Sequence, residues 1–238
     1  MKRKDNSPRV PQRDKLKTPL AIRTYTWTPK QQEFINLALD KNSKIIFVTG
    51  PAGSAKTFLS TYVALELMNT QRVSDILYIR SAVESADSKI GFLPGEVEDK
   101  MAYYGIPFID KLKELLTTTD IQKLTKDNRI QIMPINYVRG QNWNARVIIM
   151  DEAQNMTVKE IYTGLTRIGR FTKCFVLADP TQSDINGKSG GFVRLRDHFV
   201  SPEHGVVEFT LKPEDIMREE LVRYLVERYA SLNNIQTK

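Results

Sequence analysis

Short apolar runs, separated by stretches with helical periodicity, make up most of the chain after residue 28. Runs of this length, rich in Val and Ile, are typical of strands buried on both faces of a sheet. Five are clear, and a weaker sixth covers 130–133; the five are 44–49, 75–79, 146–150, 173–178 and 205–210. Helical patterns lie between most of them, at 56–70, 107–116, 157–168, 190–199 and 213–231. This alternation predicts one α/β domain with a mainly parallel sheet and helices on both faces.

A further helix is expected before the first strand, over 28–41. Thr28 can cap its amino end, and Pro29 suits the first helical turn. The apolar residues that follow recur on one side of the predicted helix. We therefore expect this helix to pack on the sheet.

The segment 84–129 departs from the alternation of strands and helices. It is rich in glycine and proline near the motif GFLPG and is too long for a plain connection. Long excursions of this kind are often functional, although a surface helical insertion without a functional role fits the pattern equally well. We predict an inserted helical excursion here and leave its role open.

The net charge of +7 belongs mostly to the amino-terminal tail. Residues 1–23 hold eight Lys or Arg and two Asp, which is 8 − 2 = +6 and leaves 7 − 6 = +1 for the rest. We predict a disordered basic tail over 1–24, followed by a single domain over 25–238. The tail could bind phosphate backbones without sequence preference, or it could be a solvated leader with no partner.

The remaining composition bears on the compartment. No apolar run reaches the roughly 18 residues that a membrane span needs, and no secretion signal is apparent. The single cysteine, Cys174, excludes an internal disulfide and is typical of a reducing compartment. We predict no membrane association and a cytoplasmic location.

Residues 50–57, GPAGSAKT, differ by one letter from the phosphate-binding P-loop pattern G-x-x-x-x-G-K-[ST]. The stretch follows a predicted buried strand and precedes a predicted helix, as a P-loop must. Its backbone N–H groups would hold phosphates at the positive helix end. Lys56 would reach the β and γ phosphates, and the Thr57 hydroxyl would bind Mg²⁺. The alternative is a glycine-rich turn with a chance lysine.

The deviating letter is Ala55, which stands where the pattern has glycine. We expect Gly50 and Gly53 to serve the left-handed or crowded part of the turn. Position 55 is then expected to open the helix with a negative φ that suits alanine. On that reasoning the loop is a working nucleotide site.

Two further strand ends carry polar residues. Asp151 follows the 146–150 run, where a Walker B carboxylate holds Mg²⁺, and Glu152 beside it could activate a water. Asp179 and Gln182 follow the 173–178 run, and carboxyl ends of parallel strands meet at one edge. The alternatives are an acidic strand end facing solvent and a plain Asp-Pro turn.

These motifs resemble the PhoH family of P-loop ATPases, which are related to the core of superfamily 1 helicases. The resemblance runs from about residue 28 to residue 230 and rests on TPKQQEFI, GPAGSAKTFLS, IRSAVESADSKIGFLPGEVEDK, INYVRGQNWNARVIIMDEAQNMT, LTRIG, DPTQSD and EDIMREELV. The family pattern differs here at Ala55, Ser81 and Ala178. The resemblance implies a RecA-like sheet with the 173–178 strand between the P-loop strand and the Walker B strand. It also implies that Gln31 reads adenine and that the partner is RNA or single-stranded DNA.

Superfamily 1 helicases close their ATP site with an arginine from a second RecA-like domain, and this chain has room for one such domain. We therefore expect the arginine to come from a neighbouring subunit. Analogy with RecA-like rings favours a homo-hexamer. The candidates are Arg167, which is preferred, Arg139 and Arg218; each could instead form an ordinary ion pair.

The sequence therefore predicts a Mg²⁺-dependent ATPase, with Glu152 activating water and with Lys56 and Gln182 contacting the γ-phosphate. A small-molecule kinase is the first alternative, although it would not need Glu152. A nucleic-acid-binding module with a site lost at Ala55 is the second. The expected nucleotide-binding residues are Gln31, Gly50, Pro51, Ala52, Gly53, Ser54, Ala55, Lys56 and Thr57, the expected Mg²⁺ ligands are Thr57 and Asp151, and the expected catalytic residues are Glu152, Gln182, Lys56 and Arg167.

Overall fold

A computed structural model describes residues 16–81, 97–183 and 190–216, together with positions 220, 221, 224, 225 and 228. The predicted basic tail and Arg218 lie mostly or wholly outside these residues. No helix within the described residues is long and apolar enough to span a membrane.

Six parallel strands form one sheet in the order β3-β2-β4-β5-β1-β6. Their bounds are β1 Ile45–Thr49, β2 Asp75–Arg80, β3 Ile130–Pro134, β4 Arg146–Asp151, β5 Lys173–Ala178 and β6 Val206–Thr210. This confirms the predicted α/β architecture and all six apolar runs. The expected place of the 173–178 strand, between the P-loop strand and the Walker B strand, is also confirmed.

The central strands are largely apolar because both faces of the sheet are covered there, whereas the edge strands β3 and β6 are only partly buried. All six residues of β5 are buried. On β1, Ile46 and Val48 enter one core and Phe47 enters the other, as the alternation of side chains along a strand requires. A run that is buried on both faces loses the polar alternation of a half-exposed strand.

Within residues 16–81, 97–183 and 190–216, six helices cover the two faces: α1 Pro29–Leu39, α2 Lys56–Asn69, α3 Val97–Leu115, α4 Thr118–Lys126, α5 Val158–Leu165 and α6 Gly191–Phe199. Helices α1, α2 and α3 pack on one face, and α5 and α6 pack on the other. Helix α1 begins as predicted, with Thr28 as its N-cap and Pro29 in the first turn. The last predicted helical stretch contains the short 3₁₀ helix Pro213–Asp215, and most of it lies outside the described residues.

The described part of the segment 84–129, residues 97–129, is part of the core. Helices α3 and α4 form the crossover from β2 to β3, and Phe108, Leu112 and Leu115 of α3 are fully buried. The aromatic ring of Phe108 stacks on Tyr78 of β2, with 4.9 Å between ring centroids. This part of the excursion therefore closes one face of the sheet.

Candidate functional site

Three turns meet at the carboxyl edge of the sheet, because β1, β4 and β5 are parallel neighbours. One turn follows β1 and holds the P-loop sequence, and the second follows β4 at Asp151. The third follows β5 at Asp179. The expected phosphate-binding, metal-binding and water-activating residues are thereby brought to one place.

Asp151 joins the P-loop helix to the sheet. Its Oδ2 accepts hydrogen bonds from the Thr57 hydroxyl at 3.0 Å and from the Tyr78 hydroxyl at 2.7 Å. Its Oδ1 accepts one from the backbone N–H of Glu152 at 3.0 Å. The two expected Mg²⁺ ligands, Thr57 and Asp151, are therefore adjacent, although they are 94 positions apart in the chain.

Tyr78 is a site residue that the sequence analysis missed. It is fully buried on β2, directly beside β4, and its hydroxyl meets the Asp151 carboxylate. Burial, followed by the charge of Asp151, raises the pKa of Tyr78 well above its usual value. The hydroxyl therefore stays protonated and acts as a donor. The only indication in the sequence was a tyrosine, with its polar hydroxyl group, inside an apolar run.

The side chain of Lys56 contacts the start of the P-loop. Its ammonium donates hydrogen bonds to the carbonyl oxygens of Gly50 at 2.7 Å and Pro51 at 3.0 Å. Burial lowers the pKa of Lys56, while the carboxylates of Asp179, Asp151 and Glu152 oppose that shift. A half-buried cation on a helix amino terminus is suited to phosphate oxygens.

The backbone at Ala55 differs from the expectation. Ala55 has φ 65° and ψ 19°, in the left-handed region, so the expected negative φ is wrong. Left-handed backbone costs a residue with a Cβ about 1–2 kcal/mol, which explains why glycine is usual here. Gly53 is also left-handed, at φ 81°. The loop needs two left-handed residues, and alanine occupies one of them.

Gly50 is required for close packing rather than for its φ. A Cβ at this position would lie 2.7 Å from Oγ of Ser54 and 2.9 Å from Cβ of Leu211. Ser54 is buried, and its hydroxyl donates to the Pro51 carbonyl at 2.8 Å. The crowded role expected of Gly50 therefore agrees with its surroundings.

Asp179 ties the turn after β5 to the P-loop. Its Oδ2 accepts a hydrogen bond from the Ala52 N–H at 3.0 Å, and its Oδ1 accepts from the Thr181 N–H and hydroxyl. The Ala52 N–H is thus occupied within the protein. Lys56 and Thr57 begin α2, so their N–H groups have no acceptor within the helix, and such groups at a helix amino terminus can bind an anion.

Glu152 adopts left-handed backbone, at φ 54° and ψ 39°, which is uncommon for a residue with a side chain. Its Oε2 accepts a hydrogen bond from Gln154 Nε2 at 2.5 Å, and Oε1 lies 3.8 Å from Arg80 Nη2. Gln154 is buried, and its Oε1 accepts from the Asp179 N–H at 3.1 Å. Gln154 therefore connects Glu152 to the turn after β5, a role that the sequence analysis did not assign.

The remaining predicted residues, Gln31, Gln182 and Arg167, do not share one location. Gln31 is buried at 3% exposure, and its Oε1 accepts the Thr28 N–H in the capping box of α1. Gln182 is exposed, in the short 3₁₀ helix Pro180–Gln182 at the site. Arg167 follows α5, where its carbonyl accepts from the N–H of Trp143, ahead of β4. Arg167 therefore lies at the opposite, amino edge of the sheet and does not reach this site.

The oxygens at the site fit Mg²⁺ bound together with a nucleotide. Within the described ranges, no group of three or more His, Cys, Asp or Glu residues could form a protein cage for a metal. The hydroxyl of Thr57 and the carboxylate of Asp151 are hard oxygen ligands. Mg²⁺ in nucleotide sites takes one or two protein oxygens and keeps phosphate and water for the rest.

A family model described as PhoH-like protein matches residues 23–230. A PhoH-like protein of Mycobacterium tuberculosis strain H37Rv is 34% identical over 214 residues, covering 89% of this chain and 60% of the relative. The PhoH-like protein of Bacillus subtilis strain 168 is 31% identical over 207 residues, covering 87% of this chain and 64% of that relative. Protein PhoH of Escherichia coli K12 is 32% identical over 194 residues, covering 80% of this chain and 54% of that relative.

The chain thus spans less than two thirds of the length of these relatives. Among solved structures, a Pif1 helicase crystal structure from Candida albicans matches with a TM-score of 0.37 and 18% identity. That match covers 79% of this chain and 40% of the helicase.

Proposed function

Because this chain belongs to the PhoH-like protein family, we propose that it is a Mg²⁺-dependent ATPase whose hydrolysis is coupled to binding of RNA or single-stranded DNA. The observation that carries the proposal is the 3.0 Å contact between the Thr57 hydroxyl and the Asp151 carboxylate. It joins the P-loop helix to the Walker B strand, with Lys56 on the same helix end. A site of this composition is suited to a nucleoside triphosphate.

The P-loop is the proposed binding site for the phosphates. Its first-turn N–H groups and the Lys56 ammonium would neutralise the β and γ phosphate oxygens. Thr57 and Asp151 would hold Mg²⁺, which when bound spreads the negative charge of the phosphates. Gln31 is proposed to read the adenine, and the exposed Gln182 to contact a γ-phosphate oxygen.

Glu152 is the proposed general base. It would accept a proton from a water whose oxygen forms a bond to the γ-phosphorus, while the bond from that phosphorus to the bridging oxygen breaks. ADP and inorganic phosphate are the products. Gln154 holds one carboxylate oxygen of Glu152, and the other lies 3.8 Å from Arg80 Nη2. The side chain of Glu152 is 40% exposed, so a water can reach it.

We propose that the site is completed by another subunit. Arg167 lies at the amino edge of the sheet, away from the P-loop of its own chain. A head-to-tail contact would bring the Arg167 end of α5 in one copy to the P-loop of the next, and such contacts close into rings. A hexameric ring, with Arg167 as the arginine that reaches the γ-phosphate, is the proposed assembly.

The single buried Cys174 supports a reducing, cytoplasmic environment.

The test of hydrolysis is release of phosphate from ATP without any phosphate acceptor, with Mg²⁺ and then with EDTA. We expect Mg²⁺-dependent release, stimulated by RNA or single-stranded DNA. Glu152→Gln should retain ATP binding and lose turnover by about 100-fold or more. Turnover that is absent in the wild type, or unchanged in Glu152→Gln, would contradict the proposal. Phosphate transfer only to an added small molecule would indicate a kinase instead.

A further inference from the structure

A second cleft lies at the amino edge of the sheet, at the other end of the strands from the P-loop. It has a volume of about 1680 Å³ and is formed by the segments that lead into β1, β2, β3, β4 and β5. Seven lysine or arginine residues line it, against one carboxylate, Asp75. The length of β5 separates this cleft from the ATP site by roughly 16 Å.

Two cations inside the cleft are held by neutral groups. The ammonium of Lys173, at 5% exposure, donates to the carbonyl oxygens of Asp40 and Ser43. Arg72 donates from Nη1 to the carbonyl oxygen of Leu39 at 2.5 Å. Carbonyl oxygens satisfy the hydrogen bonds of these cations without cancelling their charge. The cleft therefore keeps a positive potential.

The neighbouring cations repel one another. Burial, and after it the charge of Arg72, lowers the pKa of Lys173 to about 8, and the nearby Asp40 only partly opposes this shift. A bound anion would relieve the repulsion. At the rim, Lys41 and Lys44 are exposed, and neither forms an ion pair with a carboxylate in the described part of the chain.

An aromatic ring stands at the edge of the same cleft. Phe171 is 76% exposed and has φ 58°, which is an outlier for a bulky residue. The turn is held on both sides, because the Arg170 carbonyl accepts from the Ala145 N–H at 2.8 Å and the Thr172 hydroxyl donates to the Trp143 carbonyl at 2.7 Å. The fold therefore holds a large apolar ring in solvent, at a cost in backbone strain, next to exposed positive charge.

We infer that this cleft binds single-stranded nucleic acid, with phosphates on Lys41 and Lys44 and with a base stacked on Phe171. A positive groove with an exposed aromatic ring is the combination that such strands require. In a duplex the base faces are already stacked, so Phe171 favours single strands. The inference rests on the nucleic-acid part of the proposed function and is independent of hydrolysis.

The test is fluorescence anisotropy of labelled oligo(dT) and oligo(U) with the full chain. Phe171→Gly should weaken binding about tenfold, since stacking of one base is lost. Its melting temperature should stay the same or rise, because glycine suits a positive φ. Phe171→Tyr should bind like the wild type. Tyr137→Ala is the matched control, with an aromatic ring 58% exposed beyond the carboxyl end of β3, and should leave binding unchanged.

Charge at the rim is tested with Lys41→Glu combined with Lys44→Glu. We expect weaker binding and a salt dependence whose logarithmic slope is shallower by about 1.4, since two phosphate contacts on a single strand are lost. Lys113→Glu on α3, with a side chain 66% exposed, is the control for a surface charge reversal and should leave the slope unchanged.

Several results would overturn the inference: no binding by the wild type, equal binding by Phe171→Gly, or a loss confined to Tyr137→Ala. A change of oligomeric mass in Phe171→Gly without a change in binding would assign the surface to a contact between copies. Phosphate release without nucleic acid is measured beside each binding curve. If that activity is absent while Phe171→Gly still weakens strand binding, the ATPase proposal fails and the inference stands.

Discussion

The hydroxyl of Tyr78 donates a hydrogen bond to Oδ2 of Asp151 across 2.7 Å, between two neighbouring buried strands. The same oxygen accepts a second hydrogen bond from Thr57. One carboxylate oxygen is thus held by hydroxyls from the sheet and from the P-loop helix. The orientation of the proposed Mg²⁺ ligand therefore depends on a residue 73 positions away in the chain.

Replacing Tyr78 by phenylalanine should raise the Mg²⁺ concentration needed for half-maximal ATP hydrolysis by about tenfold. The ring keeps its stacking on Phe108, but the carboxylate of Asp151 loses one of the two hydroxyls that orient it. Partners that orient metal ligands typically change metal affinity by this amount. The measurement is a titration of phosphate release with Mg²⁺ at saturating ATP.

Phe108→Leu is the control for the Tyr78 variant. It removes the stacked ring and keeps the hydroxyl, so it should lower the urea midpoint while leaving the Mg²⁺ requirement near that of the wild type. Equal Mg²⁺ shifts in both variants would show that packing, rather than the hydrogen bond, sets the effect.

Ala55→Gly should raise the free energy of unfolding by roughly 0.5–1 kcal/mol. Glycine relieves the left-handed strain at φ 65°, which stabilises the folded state. The greater chain entropy of glycine in the unfolded state offsets part of that gain. Gly53→Ala should have the opposite sign, because it places a Cβ at φ 81°. Urea unfolding of the three proteins measures both effects, and a less stable Ala55→Gly would contradict the account.

Arg167→Ala should abolish most ATP hydrolysis and leave ATP binding close to that of the wild type, if the arginine acts on a neighbouring subunit. Mixing this variant with Lys56→Ala, which is also expected to be inactive, should restore activity at about a quarter of the sites. In an equal mixture, that share of contacts joins an intact P-loop to an intact arginine. No recovery on mixing, or loss of ATP binding in Arg167→Ala, would argue against the role.

Lys173 should make stability depend on pH. Its folded pKa of about 8 is below the ordinary value of 10.5, so between these values the unfolded chain binds more protons and stability rises with pH. Compared with Lys173→Met, the wild type should gain about 1–2 kcal/mol between about pH 7 and about pH 9.5. Urea unfolding of both proteins at the two pH values gives this difference, which would be zero if Lys173 had an ordinary pKa.

The strands and the site motifs were predictable because their signals are local. The apolar run of β5 is continuous since both faces of the strand are buried. Asp151 follows an apolar run, and Lys56 and Thr57 follow a strand. Each of these patterns is contained within about ten consecutive residues of the chain. Even the weak run 130–133 proved to be a strand, β3, at an edge of the sheet.

Ala55 shows where local reasoning failed. A residue that opens a helix normally has a negative φ, and the expectation followed that rule. In the folded loop, Ala55 is instead the N-cap of α2, in left-handed backbone. The loop geometry is set jointly by Gly53, by the Asp179 carboxylate on Ala52 and by the Lys56 ammonium on two carbonyl oxygens. None of these constraints can be read from the letter at position 55.

The sequence by itself determined the strands, most of the helices, the family and the chemical groups at the strand ends, because periodicity and motif spacing act along the chain. Only the tertiary structure decided that Tyr78 orients Asp151 and that Gln154 connects Glu152 to Asp179. It also decided that cations from five strand starts surround one cleft beside Phe171. Such relationships depend on which strands become neighbours, and the packing of the whole sheet determines that order.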